Sequence, residues 1–374
     1  MPGTFTLGCG SLRASGRCLI SVTGLEIVDG MRLVDVNNLE EYLRSTGRIA
    51  PGVPNRIELL GGGVSNAVFR VEPEKGDPFV IKQARERLRT EAPWFSQIER
   101  IWRETAVMST IRPLLPTGAI PRILFEDREN YLFAMEAVDP RHVVWKQELL
   151  AGRLRTEVAV HLAEYLAAIH RGTHGDSRCE QDYADREVFV ELRVDPFYRH
   201  IARVHPELRP AIETLIEEMW RTRVCLVHAD FSPKNVLLVD TVQGSLQITL
   251  VDFETGHFGD PAFDLGFFLS HLVLKAVHSQ SDAEQFVHLA ESFWKKYQAQ
   301  VNALSADPAF AAAALERRTV ANLAGCALAR VDGTSPVDYL PRNEQRERVR
   351  RICRRVLVEG IQRLASVYSL VTSI

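Results

Sequence analysis

The sequence predicts an α+β fold of two lobes, an antiparallel-sheet lobe followed by a larger, mostly helical lobe. Three observations carry that prediction. Between residues 56 and 138 the apolar residues fall into short runs bounded by glycine, proline and polar residues, the pattern of strands joined by turns. From Thr156 onward they recur at helical spacing instead. Amid those helices the runs Val224–Val227 and Leu246–Val251 read as buried strands, and each ends in a polar cluster that carries an aspartate. The expected divisions are an N-terminal extension without regular structure over 1–30, a first lobe over 31–138 and a second over 139–374.

Taken in order, residues 1–30 are rich in Gly and Ser with little periodicity, and read as frayed. Asn38 suits a helix cap for Leu39–Ser45, with Gly47 just past its end. Arg56–Leu60, then Gly61-Gly62-Gly63-Val64-Ser65-Asn66, then Ala67–Val71 read as strand, glycine-rich turn, strand. Glycines let backbone amides approach an anion closely, so this turn is a candidate nest for phosphate oxygens; no G-K-[ST] ends it, which excludes a Walker A loop. Pro78–Lys82 is the next strand, with Lys82 at its end. Trp94–Ile111 reads as a helix with Glu104 near its middle, and Tyr131–Val138 as the last strand of the lobe.

The second lobe opens with a clear helical stripe over Thr156–His170. Residues 187–222 read as a helical insert broken at Pro196, Pro206 and Pro210, whose aromatic pair Phe197 and Tyr198 fits either a pocket wall or the lobe core. Helices are expected over 265–277, 283–300, 308–325 and 343–370. The last carries a run of arginines from Arg342 to Arg355, interspersed with Glu344, Glu347 and Glu359, the pattern of a solvated helix face.

Composition excludes several classes. The 374 residues are 46% hydrophobic and 25% charged, as expected of a globular protein with a sizeable core. A net charge of -3 gives no reason to expect nucleic acid. No apolar run has the ~18–20 residues of a membrane span. The six cysteines are scattered without a C-x-x-C pair, which favours reduced thiols and a cytoplasmic protein over disulfides or a zinc site.

The chemistry concentrates at the two strand ends. The first holds His228-Ala229-Asp230-Phe231-Ser232-Pro233-Lys234-Asn235 and the second Asp252-Phe253-Glu254. An Asp followed five residues later by Asn, then Asp-Phe-x after another strand, is the pattern that phosphoryl transfer needs. A carboxylate must accept or orient the proton of the attacking hydroxyl, and magnesium takes hard oxygen ligands such as an amide oxygen and a carboxylate. Asp230 fits the first task, Asn235 and Asp252 the second. Glu254, next to the Asp-Phe pair, is a further candidate for contact with metal or acceptor through water.

These segments, VHADFSPKN and VDFETGHFGDPAFDLGFFLSHL, resemble the aminoglycoside phosphotransferase-type small-molecule kinases, a protein-kinase-like superfamily that includes choline, homoserine and methylthioribose kinases. The resemblance spans most of 55–275. It implies a two-lobed protein-kinase-like fold that binds ATP and Mg2+ in the cleft, with Asp230 catalytic and Asn235 and Asp252 as metal ligands. It further implies that the turn containing Gly61, Gly62, Gly63, Ser65 and Asn66 covers the phosphates and that Lys82 contacts them. Glu104 would hold Lys82 in place, with Glu99 as the alternative. The backbone of Glu136 to Val138 would grip the adenine, and Met135 fits either a place near the base or ordinary core. His170 would pack under the catalytic loop, and Asp264 would bond that loop's backbone, while His257 and His271 carry no defined role. The superfamily usually has Gly where this chain has Ala229.

The implied partner is a small molecule with a hydroxyl group, with no nucleic acid or membrane, and the protein a monomer or homodimer. Leu192–Arg199 with Trp145–Glu148 is similar to methylthioribose kinases, and Asp252-Phe253-Glu254 to choline kinases. Two other readings remain open. A protein kinase would carry Lys at position 232 and an A-P-E segment, which this chain lacks. A non-catalytic nucleotide-binding scaffold would not need Lys82, Asp230, Asn235 and Asp252 together.

Overall fold

A computed structural model describes residues 20–22, 25–28, 31–61, 65–86, 94–241 and 244–373. The first strands lie earlier than expected. β1 (Ile20–Val22), β2 (Leu25–Val28) and β3 (Met31–Arg32) form a small antiparallel sheet, so the second half of the supposed unstructured extension carries regular elements; residues 1–19 lie outside the described residues.

The first lobe is built on a five-stranded antiparallel sheet. Its strands are β4 (Asn55–Leu59), β5 (Asn66–Pro73), β6 (Phe79–Ala84), β7 (Ile123–Asp127) and β8 (Leu132–Glu136), in the order β4-β5-β6-β8-β7. Every residue of β6 is buried because the sheet is covered on both faces. Alternation along the strand sorts its side chains. Phe79 and Ile81 pack with Leu39, Tyr42 and Leu43 of helix α1 (Leu39–Ser45). Val80 and Ala84 join the cluster containing Ile101 and Met108 of helix α2 (Arg100–Ile111), so Lys82 falls on the face toward α2 and the second lobe. Gln83, on the other face, ties in the N-terminal segment by accepting from the Val34 N–H and donating to the Arg32 and Asn130 carbonyls.

Two details of this lobe differ from expectation. Asn38 precedes α1 but does not cap it; its side chain turns back, accepting from the Asp35 N–H and donating to the Leu33 carbonyl. Helix α2 starts only at Arg100, so Glu104 sits in its second turn.

After β9 (Val143–Val144) the chain is mainly helical: α3 (Trp145–Leu150), α4 (Thr156–Thr173), α5 (Ser177–Asp182), α6 (Glu187–Phe189), α7 (His200–Val204) and α8 (Arg209–Arg221). Pro196 does not break the insert. It lies in a π-helical stretch, Val190–Arg199, that joins α6 to α7, where the wider turn tolerates the missing N–H. Strands β10 (Cys225–Val227), β11 (Val236–Asp240), β12 (Leu246–Leu250) and β13 (His257–Gly259) make two small sheets, β12-β11-β9 and β10-β13.

Helices α9 (Pro261–His278), α10 (Ala283–Val301) and α11 (Ala312–Asp332) complete the core. Helix α9 is buried on all sides from Pro261 to Val277, the mark of a central core helix. The expected single helix over 343–370 is two, α12 (Asn343–Glu359) and α13 (Leu364–Thr372). Gly360, at φ 71°, takes the left-handed conformation that ends the first.

Candidate active site

Strand β10 delivers the chain into the His228–Asn235 loop, and α9 holds that loop from beneath. The Asp264 carboxylate accepts from the His228 N–H at 2.8 Å and the Ala229 N–H at 2.7 Å. It also faces His170 Nε2 at 3.1 Å, and His170 Nδ1 meets the Tyr297 hydroxyl at 2.8 Å. Burial by itself would raise the Asp264 pKa; His170 and the His228 N–H outweigh it and hold the carboxyl below its usual range. Ala229 sits at φ 59°, the left-handed region where glycine is at ease, which explains the glycine usual there in the similar kinases.

Asp230 is buried, yet surrounded by donors. Arg193 Nη2 lies 2.7 Å from Oδ1, while Lys234 Nζ at 2.9 Å and Asn235 Nδ2 at 2.8 Å reach Oδ2. Asn235 Nδ2 also donates to the Asp230 carbonyl at 2.9 Å. Both bonds use the amide nitrogen, and among the described residues no hydrogen bond engages the Asn235 Oδ1. That leaves a hard amide oxygen, of the kind a magnesium site uses, on a residue whose backbone carbonyl accepts from the N–H of Val251, the neighbour of Asp252.

Asp252, at φ 73°, leaves β12 and meets the first lobe. Lys82 Nζ lies 2.8 Å from Asp252 Oδ1 and 2.7 Å from Glu104 Oε2, both bonds being largely removed from water. Glu104, rather than Glu99, is therefore the partner of Lys82. Burial disfavours charge on Lys82, but Asp252 and Glu104 more than offset it and raise its pKa. Burial likewise pushes Asp252 up, yet Lys82 and Lys234 hold it far below the carboxylate range. Glu104 is pushed up by burial against the pull of Lys82.

The carboxylate oxygens of Glu104, Asp252 and Glu254 lie within 4.8 Å of one another. Glu254 stands in that group and is also bound to the first lobe. It accepts from Ser65 Oγ at 2.5 Å, Asn66 Nδ2 at 2.8 Å and Arg100 Nε at 3.0 Å. Arg100 in turn donates through Nη2 to the Ser65 and Arg85 carbonyls. The side chains of Ser65 and Asn66 are thus committed to a buried clamp that fastens the end of the glycine-rich turn to α2 and the second lobe. Among the described residues of the turn, these two side chains are taken up by protein partners. Gly61 is described; Gly62 and Gly63 lie outside the described residues.

In the connection between lobes, the Glu136 N–H is taken by the Arg122 carbonyl and the Val138 carbonyl by Arg70 Nη1. The Val138 N–H makes no hydrogen bond among the described residues. Met135 is buried core, as are Phe197 and Tyr198, whose hydroxyl donates to Asn322 Oδ1. Sequence reasoning missed Arg193, Lys234 and Arg100 as members of the site. Lys234 stood inside the recognised motif and Arg193 inside the insert singled out for acceptor choice, so their positions carried some signal. Arg100 carried none, because its partners lie 35 and 154 residues away.

A family model described as the phosphotransferase enzyme family matches residues 56–299. The chain is 24% identical to methylthioribose kinase 2 of Oryza sativa subsp. japonica over 68% of its own length and 66% of that protein, so it spans just under two thirds of that relative. To the methylthioribose kinase of Yersinia pestis it is 23% identical over 72% of this chain and 74% of the other. Among solved structures, an ethanolamine kinase of Plasmodium vivax superposes with a TM-score of 0.51 at 12% identity, covering 89% of this chain and 92% of that one. The two-lobed protein-kinase-like fold is shared. No helix among the described residues is long and apolar enough to cross a membrane.

Proposed function

Because this chain belongs to the phosphotransferase enzyme family, we propose that it moves the γ-phosphate of Mg-ATP to a hydroxyl of a small molecule. The observation that supports this most is the meeting of Lys82 from one lobe with Asp252 from the other, beside Asp230 and Asn235. In this reading Asp230 orients the acceptor hydroxyl and takes up its proton as the oxygen attacks. Lys82, held by Glu104, positions the phosphates, and the backbone of the turn from Gly61 to Asn66 covers them. Asn235 and Asp252 would hold magnesium, which when bound neutralises charge on the phosphates. The connection from Glu136 to Val138 receives the adenine, and the Val138 N–H is a donor ready for it. Positioning and fixed charge then do most of the catalysis.

The methylthioribose kinases among the relatives support a sugar-like acceptor. The free thiols of Cys179, Cys225, Cys326 and Cys353 support a reducing, cytoplasmic setting.

The test is ADP release with Mg-ATP across small hydroxyl compounds, with Asp230→Asn as control. Turnover on an acceptor that falls about 10²–10⁴-fold in the variant supports the reading. Failure to bind nucleotide at all overturns it.

A further inference from the structure

Helix α9 is buried on all sides, so each of its polar side chains needs a partner. Asp264 and Ser270 have theirs: Asp264 takes the loop N–H groups, and Ser270 Oγ donates to the Phe267 carbonyl at 2.7 Å. His271 and Lys275 do not. Among the described residues the Lys275 ammonium, 1% exposed, donates only to the His271 carbonyl at 3.3 Å, and His271 Nε2 is buried without a partner.

Further cations and donors surround them. Lys275 Nζ stands 5.1 Å from the centre of the Tyr339 ring and Lys146 Nζ 5.6 Å from it. The Tyr339 hydroxyl and Arg330 Nε are buried and unpaired, while Arg330 Nη1 donates to the carbonyl and hydroxyl of Ser335. The carboxylate that faces this group, Asp338, is 81% exposed in its side chain and already paired with Lys146 at 3.4 Å. Burial, with Lys146 and Arg330 beside it, pushes Lys275 down to about 7, the response of a cation short of counter-charge.

The cluster adjoins Asp230. Phe267, His271 and Lys275 are spaced four apart and share one face of α9. The Arg193 guanidinium that pairs with Asp230 lies 5.4 Å over the Phe267 ring, and that ring lies 5.0 Å from His271. Arg330 lies within the field of both Asp230 and Arg193.

We propose that Lys275, His271 and Arg330 form an anion-holding portion of the acceptor site, so that the acceptor is a hydroxyl compound bearing a carboxylate or a phosphate. The proposal rests on the phosphotransferase reading for the acceptor's hydroxyl, which reaches Asp230 while the anion supplies the missing counter-charge. A cationic acceptor such as an amino alcohol meets repulsion here.

The experiment is calorimetric binding of glycerate, glycerol 3-phosphate, glycerol and choline to the full chain with nucleotide present, alongside phosphoryl-transfer assays on the same compounds. The expected result is that glycerate or glycerol 3-phosphate binds roughly ten- to a hundredfold more tightly than glycerol, and that Lys275→Met and Arg330→Gln each remove the preference. Which of the two anions binds better separates a carboxylate site from a phosphate site. Lys275→Met keeps the length of the side chain and removes a buried charge; Arg330→Gln, on a half-buried residue, guards against misfolding of the first. Equal binding of glycerol or choline, a preference that survives both substitutions, or no binding of either anion overturns the proposal. Anion binding lost in the variants, with no nucleotide bound by the wild type, sinks the phosphotransferase reading and leaves the anion site standing. Transfer to choline or glycerol with no advantage for the anions does the reverse.

Discussion

Arg193 Nη2 lies 2.7 Å from Asp230 Oδ1, and the same guanidinium donates through Nε to the Ala229 carbonyl at 2.9 Å. One side chain from the helical insert thereby holds both the carboxylate and the backbone of the loop it faces. Arg193→Met keeps the stem packed near Phe197 and Phe267 and removes both bonds. Phosphoryl transfer should fall about a hundredfold in kcat, since a carboxylate displaced by about 1 Å loses that much. Nucleotide affinity, measured by equilibrium titration, should stay unchanged. A wild-type kcat in this variant would mean that Asp230 is held without Arg193.

The Arg100–Glu254 pair is wholly enclosed, and removing one member leaves the other charged and buried. Arg100→Met should therefore lower stability by about 3–5 kcal/mol in urea unfolding. The double variant Arg100→Met/Glu254→Gln should recover some of that loss, because it removes both charges together. Strict additivity of the two single substitutions would rule out the clamp as a unit.

Ala229 carries an L-residue into the left-handed region at φ 59°. Glycine there relieves about 1–2 kcal/mol of strain, which nearly offsets the lost methyl burial and the added freedom of the unfolded chain. Ala229→Gly should thus leave stability within about 1 kcal/mol of the parent by thermal unfolding, whereas Ala229→Val, adding bulk at a fully buried site, should unfold the loop region. A large loss in the glycine variant would show that the methyl group is needed for packing.

His257 is buried, with Nδ1 3.1 Å from the Thr255 carbonyl, and burial pushes its pKa down to about 3. Its folded pKa is lower than its unfolded value, so the unfolded chain takes up the proton first. The stability this neutral histidine confers is complete above the unfolded pKa near 6.5 and is lost as pH falls from there toward 3. Between pH 7 and pH 5 the loss should be about 2 kcal/mol from this residue. Urea unfolding at both values, compared with His257→Gln, measures it; an equal pH slope in the two proteins would contradict the assignment.

Much of this protein was determined by the sequence alone. Asp230, Asn235 and Asp252 were legible as candidates because each lies within a few residues of a strand end, and short-range spacing is what a sequence displays. Lys82 and Glu104 were legible as candidates, since strand and helix periodicity located their elements. The element boundaries were less so: α2 began six residues late, and Gly360 split the last helix, because a helix end depends on what packs against it. Only the tertiary structure decided which acid joins Lys82, that Ser65 and Asn66 serve Glu254 through their side chains, and that Arg193 holds Asp230. It also decided that His271 and Lys275 lie buried without counter-charge, two residues that sequence alone left without a role. The physical reason is common to all of these. A buried charge or hydrogen bond takes its energy from partners far away in the chain, and their distances exist only once the two lobes have packed.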